Sequence, residues 1–550
     1  MNDQFRQQVE AWIALDPDEN DRDMLTSLLD LDDEVELERR FVAPLAFGTA
    51  GLRGPEMAGP AGMNRATVRR ATLGVLAWMG EIGVDASRGV VVGRDGRRGS
   101  ETFNDEVVAV LLGGGATVYE MPSALPTPLV AYCVKALNAS AGIVITASHN
   151  PPEDNGYKLY ASDGAQIVPP DDEIVERHMR HATEATLGER SSSEHSYISD
   201  MILEEYQRHI VGRFHVEGGS DLAITYTPLH GVGGATMTRS FSSAGFSNVT
   251  TVARQFEPDG SFPTLPFPNP EEPGALDLAI ETAKVAKSSI IIANDPDADR
   301  LGAAVRDGKS WRVLRGDEIG WLLASSLMEG VHERGETVAT TIVSSTLLEK
   351  MAHAHGVNYA TTLTGFKWLA RSAGEGVLGF AYEEALGFAV DSHVADKDGL
   401  SAALAFAVLA SDLASRGSSL IERLDEIEST YGVHLTSQLS IRADGPEGLG
   451  RLRHKVKGLA DHPPVALGGI GVTEVSDLGS GFWGLLRTDG VWLGLGTMGR
   501  VVARPSGTEA KVKAYVEVTP PRDGTLHEQR TRAREITERI LDSLRELLSG

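Results

Sequence analysis

Two short segments of this sequence concentrate residues that could hold or move an anionic group. The first is TASHNPPEDNGYKLY, residues 146–160. Ser148 follows an apolar run, and the carboxyl edge of a buried strand is where open α/β sheets place ligands. A serine there is either a nucleophile or a turn residue. Ser148 and His149 are adjacent, and on an extended backbone neighbouring side chains point to opposite faces. His149 is therefore not expected to serve as the base for Ser148. No G-x-S-x-G elbow surrounds the serine, so an acyl-transfer triad has no support. Lys158 could return to the site after the Pro-Pro and Asn-Gly turns, or could lie on the surface of a polar loop. The second segment is NDPDADR, residues 294–300. Asp295, Asp297 and Asp299 alternate, so an extended chain would turn all three carboxylates one way. Carboxylates that close repel unless a cation sits between them, and hard oxygen ligands favour Mg²⁺ or Ca²⁺. An EF-hand loop is excluded, because Arg300 and Arg306 stand where its glycine and bidentate glutamate belong. The other reading is an acidic turn capping the next element. Three carboxylates rarely fill an octahedral shell, so a further anionic oxygen is expected with Mg²⁺.

Three more segments carry weaker signals. RPSGTEAKVKAY (504–515) offers Arg504, Ser506, Gly507 and Thr508: a fork donor, two hydroxyls and a glycine turn. That set can grip a phosphate, or be a polar hairpin turn. It lacks the Walker A spacing. FGTAGLRG (47–54) has Gly48, Gly51 and Gly54, which permit close backbone approach to a ligand or simply a flexible turn, and the cation Arg53. AYEEALGF and HVADKDG (381–388 and 393–399) place Glu383 and Glu384 at a strand end and Lys397 between two aspartates. They fit sugar-hydroxyl contacts or a solvated acidic loop. His178 with His181, and His353 with His355, read as a solvated helix face and a helix end.

The elements that must position these loops follow from periodicity. GVVVGRD, ATVYEM and AGIVITA read as short buried strands, with helices at 102–112 and 126–137 between them. The alternation recurs over 221–293 and 316–384, which predicts doubly wound α/β units. Residues 1–42 form a helical leader with apolar positions such as Leu25, Leu28 and Leu29. The expected domains are 43–212, 213–322, 323–435 and 436–550. The last has a different texture: a helix near 446–460, short strands including FWGLLRTDG and RVVARPSG, and an amphipathic helix over 526–548. The Ser- and Glu-rich stretch 188–200 reads as a surface loop.

Composition narrows the function. The 550 residues carry 51 Lys and Arg against 77 Asp and Glu, a net charge of −26. Nucleic acid and anionic membranes are poor partners for that surface. No apolar run reaches the roughly 18 residues of a membrane span. The start shows no secretory signal pattern, and the single cysteine, Cys133, excludes an internal disulfide. The expectation is a cytoplasmic enzyme of several domains. An anionic substrate would need Arg and Lys gathered into a few Gly-rich loops, as the segments above have them.

Taken in order, TASHNPPEDNGYK, DPDADR, YEEALG and RPSGTE resemble the α-D-phosphohexomutase superfamily. FGTAGLRG and TGFKW resemble its branch of bacterial phosphoglucomutases, phosphopentomutases and some phosphomannomutases. The resemblance implies four domains, three α/β units and an α+β C-terminal unit, in a heart shape around a central cleft. It implies a mutase that moves phosphate between the 1- and 6-positions of glucose or mannose. Ser148 would carry the phosphoryl group, and its phosphate oxygen would join Asp295, Asp297 and Asp299 on Mg²⁺. Arg53, Lys158 and His149 would stand near the transferring group, and Lys397 would serve as acid/base. Arg300, Gly365, Lys367, Glu383 and position 385 would contact substrate, and Arg504, Ser506, Gly507 and Thr508 would hold the other phosphate. A hexose 1,6-bisphosphate such as glucose 1,6-bisphosphate would act as activator, and the protein would be a monomer or dimer. Two positions depart from the pattern: Ala385 replaces a usual serine, and Phe366 stands where shorter relatives have histidine. The rival readings are a phosphopentomutase, a sugar-phosphate sensor without activity, and a metal-dependent phosphatase, which would need water at a site that a closing cleft excludes.

Overall fold

The computed structural model describes residues 1–48, 51–182, 185–443, 445–506 and 511–549. It divides into two compact units, the first made of Met1–Val313 and His393–Val408, the second of Leu314–Ser392 and Leu409–Gly550.

The first unit opens with the helices Asp3–Leu15, Glu19–Asp30 and Glu34–Phe41. Each is capped by a side chain: Asn2, Asp18 and Asp33 accept from the N–H groups of Phe5, Asn20 and Glu36. Val9, Leu25, Leu29, Leu37 and Phe41 form a small core that closes on Ala58 of the body. Behind this leader lies a six-stranded sheet. Its order is Leu52–Pro55, Asp154–Ala161, Ala141–Ile145, Val90–Arg94, Val118–Glu120 and His195–Tyr197. The three pairings from Ala141–Ile145 out to the edge strand His195–Tyr197 are parallel, whereas Asp154–Ala161 runs antiparallel to both its neighbours. Strands such as Ala141–Ile145 are apolar throughout because helices cover both faces of a parallel sheet.

Two expectations change here. The stretch 188–200 contributes the edge strand His195–Tyr197, held because Glu120 accepts from both Arg190 and His195. Asn155-Gly156 is no turn; it lies inside Asp154–Ala161, opposite Gly54 and Arg53. Glycine is required there because a Cβ would come within 2.5 Å of the Thr146 carbonyl.

The same unit holds a five-stranded sheet in the order Ser310–Val313, Gly302–Asp307, Ile290–Ala293, Ile224–Thr227 and Val249–Thr251. The second unit has a four-stranded sheet, ordered Asn358–Thr362, Thr337–Thr341, Leu378–Glu383 and Gly387–Ala389. Its other main sheet is wholly antiparallel, ordered Leu435–Arg442, Lys511–Val518, Gly499–Pro505, Val491–Gly494 and Glu474–Asp477. The helices Gly445–Asp461 and Leu526–Ser549 accompany it. The segment FWGLLRTDG is a loop, not a strand. Its apolar residues belong to an aromatic stack, Phe482 on Trp483 at 4.2 Å and on Trp492 at 5.3 Å. Among the described residues, no single helix is long and apolar enough to cross a membrane.

Candidate active site

Ser148 stands three residues beyond the strand Ala141–Ile145, fully buried and at φ +54°. Its N–H donates to Thr146 Oγ1 at 2.8 Å, a local turn that ends the strand. The left-handed backbone overturns the expected geometry of the next residue. Because the chain is not extended, His149 does not point away: its Nδ1 is 3.2 Å from Ser148 Oγ. Burial, then the charges of Arg300 and Arg53, hold His149 well below the usual histidine range, so it is neutral.

The serine hydroxyl also donates to Asp295 Oδ2 at 2.8 Å. Asp295, Asp297 and Asp299 follow the strand Ile290–Ala293 and are buried, with one oxygen from each lying within 4.8 Å of the others. They converge, but not by extended alternation. A turn with Ala298 at φ +58° folds the segment, and the Ala298 N–H donates to the Asp295 carbonyl. Lys158 enters from the middle of Asp154–Ala161 and places Nζ 2.6 Å from both Asp297 Oδ2 and Asp299 Oδ2. Lys397 places its own Nζ 2.8 Å from Asp299 Oδ2. Arg300 Nε lies 3.9 Å from Asp295 Oδ2 and from Asp299 Oδ1.

The electrostatics divide the three acids. Burial, followed by repulsion from Asp297 and Asp299, pushes Asp295 well above the ordinary aspartate value. Burial acts on Asp299 too, but Lys158, Lys397 and Arg300 outweigh it and hold that carboxylate far down. Asp297 is likewise held down against burial and Asp299, by Lys158. Asp297 Oδ1 and Asp299 Oδ1 are buried and accept no hydrogen bond. Orphaned carboxylate oxygens facing one small space are costly unless a cation takes them. The donor set, all carboxylate oxygen, fits a hard divalent cation.

The remaining predicted residues fall in both units. Arg53, on Leu52–Pro55 in the first unit, reaches Asn150 Oδ1 at 3.5 Å. Gly51 just before it has φ +81°, and a Cβ there would meet the Tyr157 carbonyl at 2.1 Å. In the second unit the Gly365 N–H donates to Glu383 Oε1 at 2.7 Å, which ties two of the predicted sugar contacts together. Lys367 is buried, with Nζ 5.7 Å from the Trp368 ring. Ala385 follows Glu384, whose Oε2 accepts from the Ser344 hydroxyl at 2.9 Å. Arg504 lies near the end of Gly499–Pro505 opposite Lys513, and the Ser506 N–H donates to the Lys511 carbonyl. Gly507 and Thr508 lie outside the described residues.

Several contributors escape a reading of the sequence. Thr127 donates to Asp297 Oδ2 at 2.7 Å. Tyr160 and Gln166 donate to Asp396, and Tyr206 to Asp398, so both acids flanking Lys397 are anchored. Arg97 touches the serine loop itself. Only Arg97 leaves a signal: RDGRRG follows a buried strand and has the same Gly-plus-Arg texture as the candidate phosphate loops.

A hydroxyl beside an acidic cation cage, framed by ammonium and guanidinium groups, suits transfer of a phosphoryl group. Family models agree. Domain I of phosphoglucomutase/phosphomannomutase, an alpha/beta/alpha domain, matches residues 44–186. Domains II and III match 204–308 and 315–431, and the C-terminal domain matches 488–534. The chain belongs to this family. It is 37% identical to a probable phosphomannomutase of Haemophilus influenzae, over 83% of this chain and 93% of that one. It is 33% identical to the phosphopentomutase of Mus musculus, over 95% and 91%. A putative phosphomannomutase from Thermus thermophilus shares the fold, with a TM-score of 0.71 at 24% identity over 92% of this chain and 100% of that one. The four-domain architecture and the phosphohexomutase superfamily are thus those expected, and the protein is a phosphosugar mutase.

Proposed function

We propose that this mutase interconverts hexose 1-phosphate and hexose 6-phosphate, of glucose or mannose, through a phosphorylated Ser148. The observation that carries the reading is the Ser148 hydroxyl, 2.8 Å from Asp295 at the mouth of the three-carboxylate cluster. A phosphoryl group on that oxygen would supply the further anionic ligand that three carboxylates leave open. Asp295, Asp297 and Asp299 would hold Mg²⁺, which when bound supplies charge neutralisation for the transferring group. The serine loop belongs to 43–212, the acidic loop to 213–322, the sugar loop to 323–435 and the phosphate loop to 436–550.

The chain's own residues account for the rest. In one half-reaction the bond from phosphorus to Ser148 Oγ breaks and a bond to the sugar 6-oxygen forms, and a proton passes from that sugar hydroxyl to Oγ. His149 Nδ1 and Lys397 Nζ are the groups proposed to carry it. Lys158, Arg53 and Arg300 face the charge on the phosphoryl oxygens, and such charge stabilisation is the main demand of phosphoryl transfer. Glu383, steadied by Gly365, and Lys367 would select sugar hydroxyls. Arg504 and Ser506, with Gly507 and Thr508, would grip the phosphate that is not moving. The bisphosphate formed must turn over before returning its other phosphate to Ser148, so this grip reads phosphate and not sugar. Free hexose 1,6-bisphosphate would prime the serine.

A pentose substrate is the second reading. It is favoured by the similarity to a phosphopentomutase over nearly the whole chain, and by Ala385, which offers no hydroxyl to a sugar. One panel tests both. Rates with glucose 1-phosphate, mannose 1-phosphate and ribose 1-phosphate are compared with Mg²⁺ and a trace of glucose 1,6-bisphosphate, beside the variant Ser148→Ala. Higher kcat/KM for a hexose, abolished in Ser148→Ala, is the expected result. A preference for ribose 1-phosphate would install the second reading, and a fully active Ser148→Ala would remove the phosphoserine.

A further inference from the structure

We infer that Arg97 is a positioning residue for the transfer step: its guanidinium clamps four carbonyls of the serine loop and holds Ser148 in its left-handed conformation. The inference rests on the proposed role of Ser148 and adds to it a residue outside every predicted motif.

Arg97 is 3% exposed. Its Nη2 donates to the carbonyls of Ser148 at 2.7 Å and Asn150 at 2.6 Å. Its Nη1 donates to those of Pro151 at 2.7 Å and Asp154 at 2.8 Å. One side chain thus gathers the backbone of the whole turn between Ala141–Ile145 and Asp154–Ala161. Four hydrogen bonds from a cation are each stronger than neutral ones, and only a planar fork can spread across two pairs of acceptors.

The fork is itself held by Asp95 and Phe262. Asp95 Oδ2 lies 3.3 Å from Arg97 Nε, and Asp95 Oδ1 accepts from the Arg97 N–H at 2.9 Å and from Ser100 Oγ at 2.6 Å. Phe262 covers the guanidinium face, with its ring centre 5.0 Å away. Phe262 comes from the next domain of the same unit, on a loop where a Cβ at Gly260 would sit 2.7 Å from Arg97 Cα. Such packing leaves the guanidinium one orientation.

The consequence for chemistry is geometric. Ser148 has no glycine's freedom, and its φ of +54° costs free energy that neighbouring bonds must offset. In that conformation Oγ reaches both Asp295 and His149. The clamp also turns four carbonyl dipoles toward Arg97, so their partial negative charge does not face an incoming phosphoryl group. Losing the fork lets Oγ drift, and a misplacement of about 1 Å costs on the order of 100-fold in rate.

The variant Arg97→Lys keeps the charge and loses the fork. The expected result is a kcat lower by roughly 100-fold with KM for glucose 1-phosphate unchanged, because phosphosugar contacts lie on other loops. Single-turnover transfer of label from glucose 1,6-bisphosphate onto Ser148 slows by the same factor. In Arg97→Ala, added guanidinium ion restores part of kcat by refilling the space. If Arg97→Lys melts lower but turns over at the wild-type kcat, the residue is structural only and the inference fails. If Arg97→Ala does not fold, the lysine variant still decides. Ser148→Ala separates the two claims. With Ser148→Ala dead and Arg97→Lys fully active, the clamp is wrong and the phosphoserine stands. With Ser148→Ala active, the phosphoserine is wrong whatever Arg97 does.

Discussion

The three aspartates and the serine stand out by type and spacing, and they meet in space. What periodicity cannot reveal is the positive φ at Ser148 and Ala298, since only glycine advertises that conformation. The error over His149 follows directly, because the rule of opposite faces holds only for extended chain. Glu384 allows a prediction at this scale. Burial, then Glu383 and Asp317, push it up to about 7. Its value in the unfolded chain is near 4.3. A carboxyl with a raised folded pKa favours the fold when protonated. Its contribution is complete below the unfolded value and is lost as pH rises through the folded one. Glu384→Gln keeps an acceptor for Ser344 and never ionises. Thermal melts should place this variant a few degrees above wild type near pH 8, and level with it near pH 4.

Elements are legible where burial is two-sided and obscure where it is not. Val90–Arg94, Ala141–Ile145 and Ile290–Ala293 are apolar runs because helices flank their sheets, so the runs announce themselves. The edge strand His195–Tyr197 is largely exposed and polar, so no apolar run announces it. FWGLLRTDG misleads the other way: Phe482 is apolar because it packs from a loop against Trp492 and Val502 of the neighbouring sheet, not because it lies in a strand. Asn155-Gly156 carries turn residues in a strand because Gly156 lies against two carbonyls. The leader helices follow from their spacing, and their core depends on few residues. Leu25→Ala removes a side chain that is fully buried there. Its cost is about 2–5 kcal/mol, and a core this small has little to spare. Limited proteolysis should then cut within residues 1–43 much faster than in wild type, while kcat stays the same. A matching fall in kcat would mean that the leader supports the site.

At the scale of the whole chain, one buried carboxylate is a shared acceptor for two parts of the second unit. Glu517, 4% exposed, accepts from Ser345 Oγ and the Thr346 N–H at 2.8 Å each, from His434 Nδ1 at 2.9 Å and from Arg500 Nε at 3.0 Å. Ser345 and Thr346 lie in the span matched by domain III, Arg500 and Glu517 in that matched by the C-terminal domain. No motif marks this junction, because its partners are scattered over 172 positions and each is ordinary alone. Against burial, Arg500 and His434 hold the Glu517 carboxyl far below its usual range. With the folded pKa depressed, the stability it gives is present above the unfolded value of about 4.3 and lost as pH falls below it. Glu517→Gln removes the charge and leaves Arg500 buried without its counter-ion. Breaking a buried pair in this way costs about 3–5 kcal/mol. Calorimetry near pH 7 should show one transition lowered by roughly 10 °C and the rest of the profile in place, since two compact units need not melt together. Near pH 3 the gap between variant and wild type should narrow, because the carboxyl is then protonated in the unfolded chain while still charged in the fold, and the wild type loses part of its advantage. A uniform shift of the whole profile at both pH values would mean that Glu517 is no more than one polar contact among many.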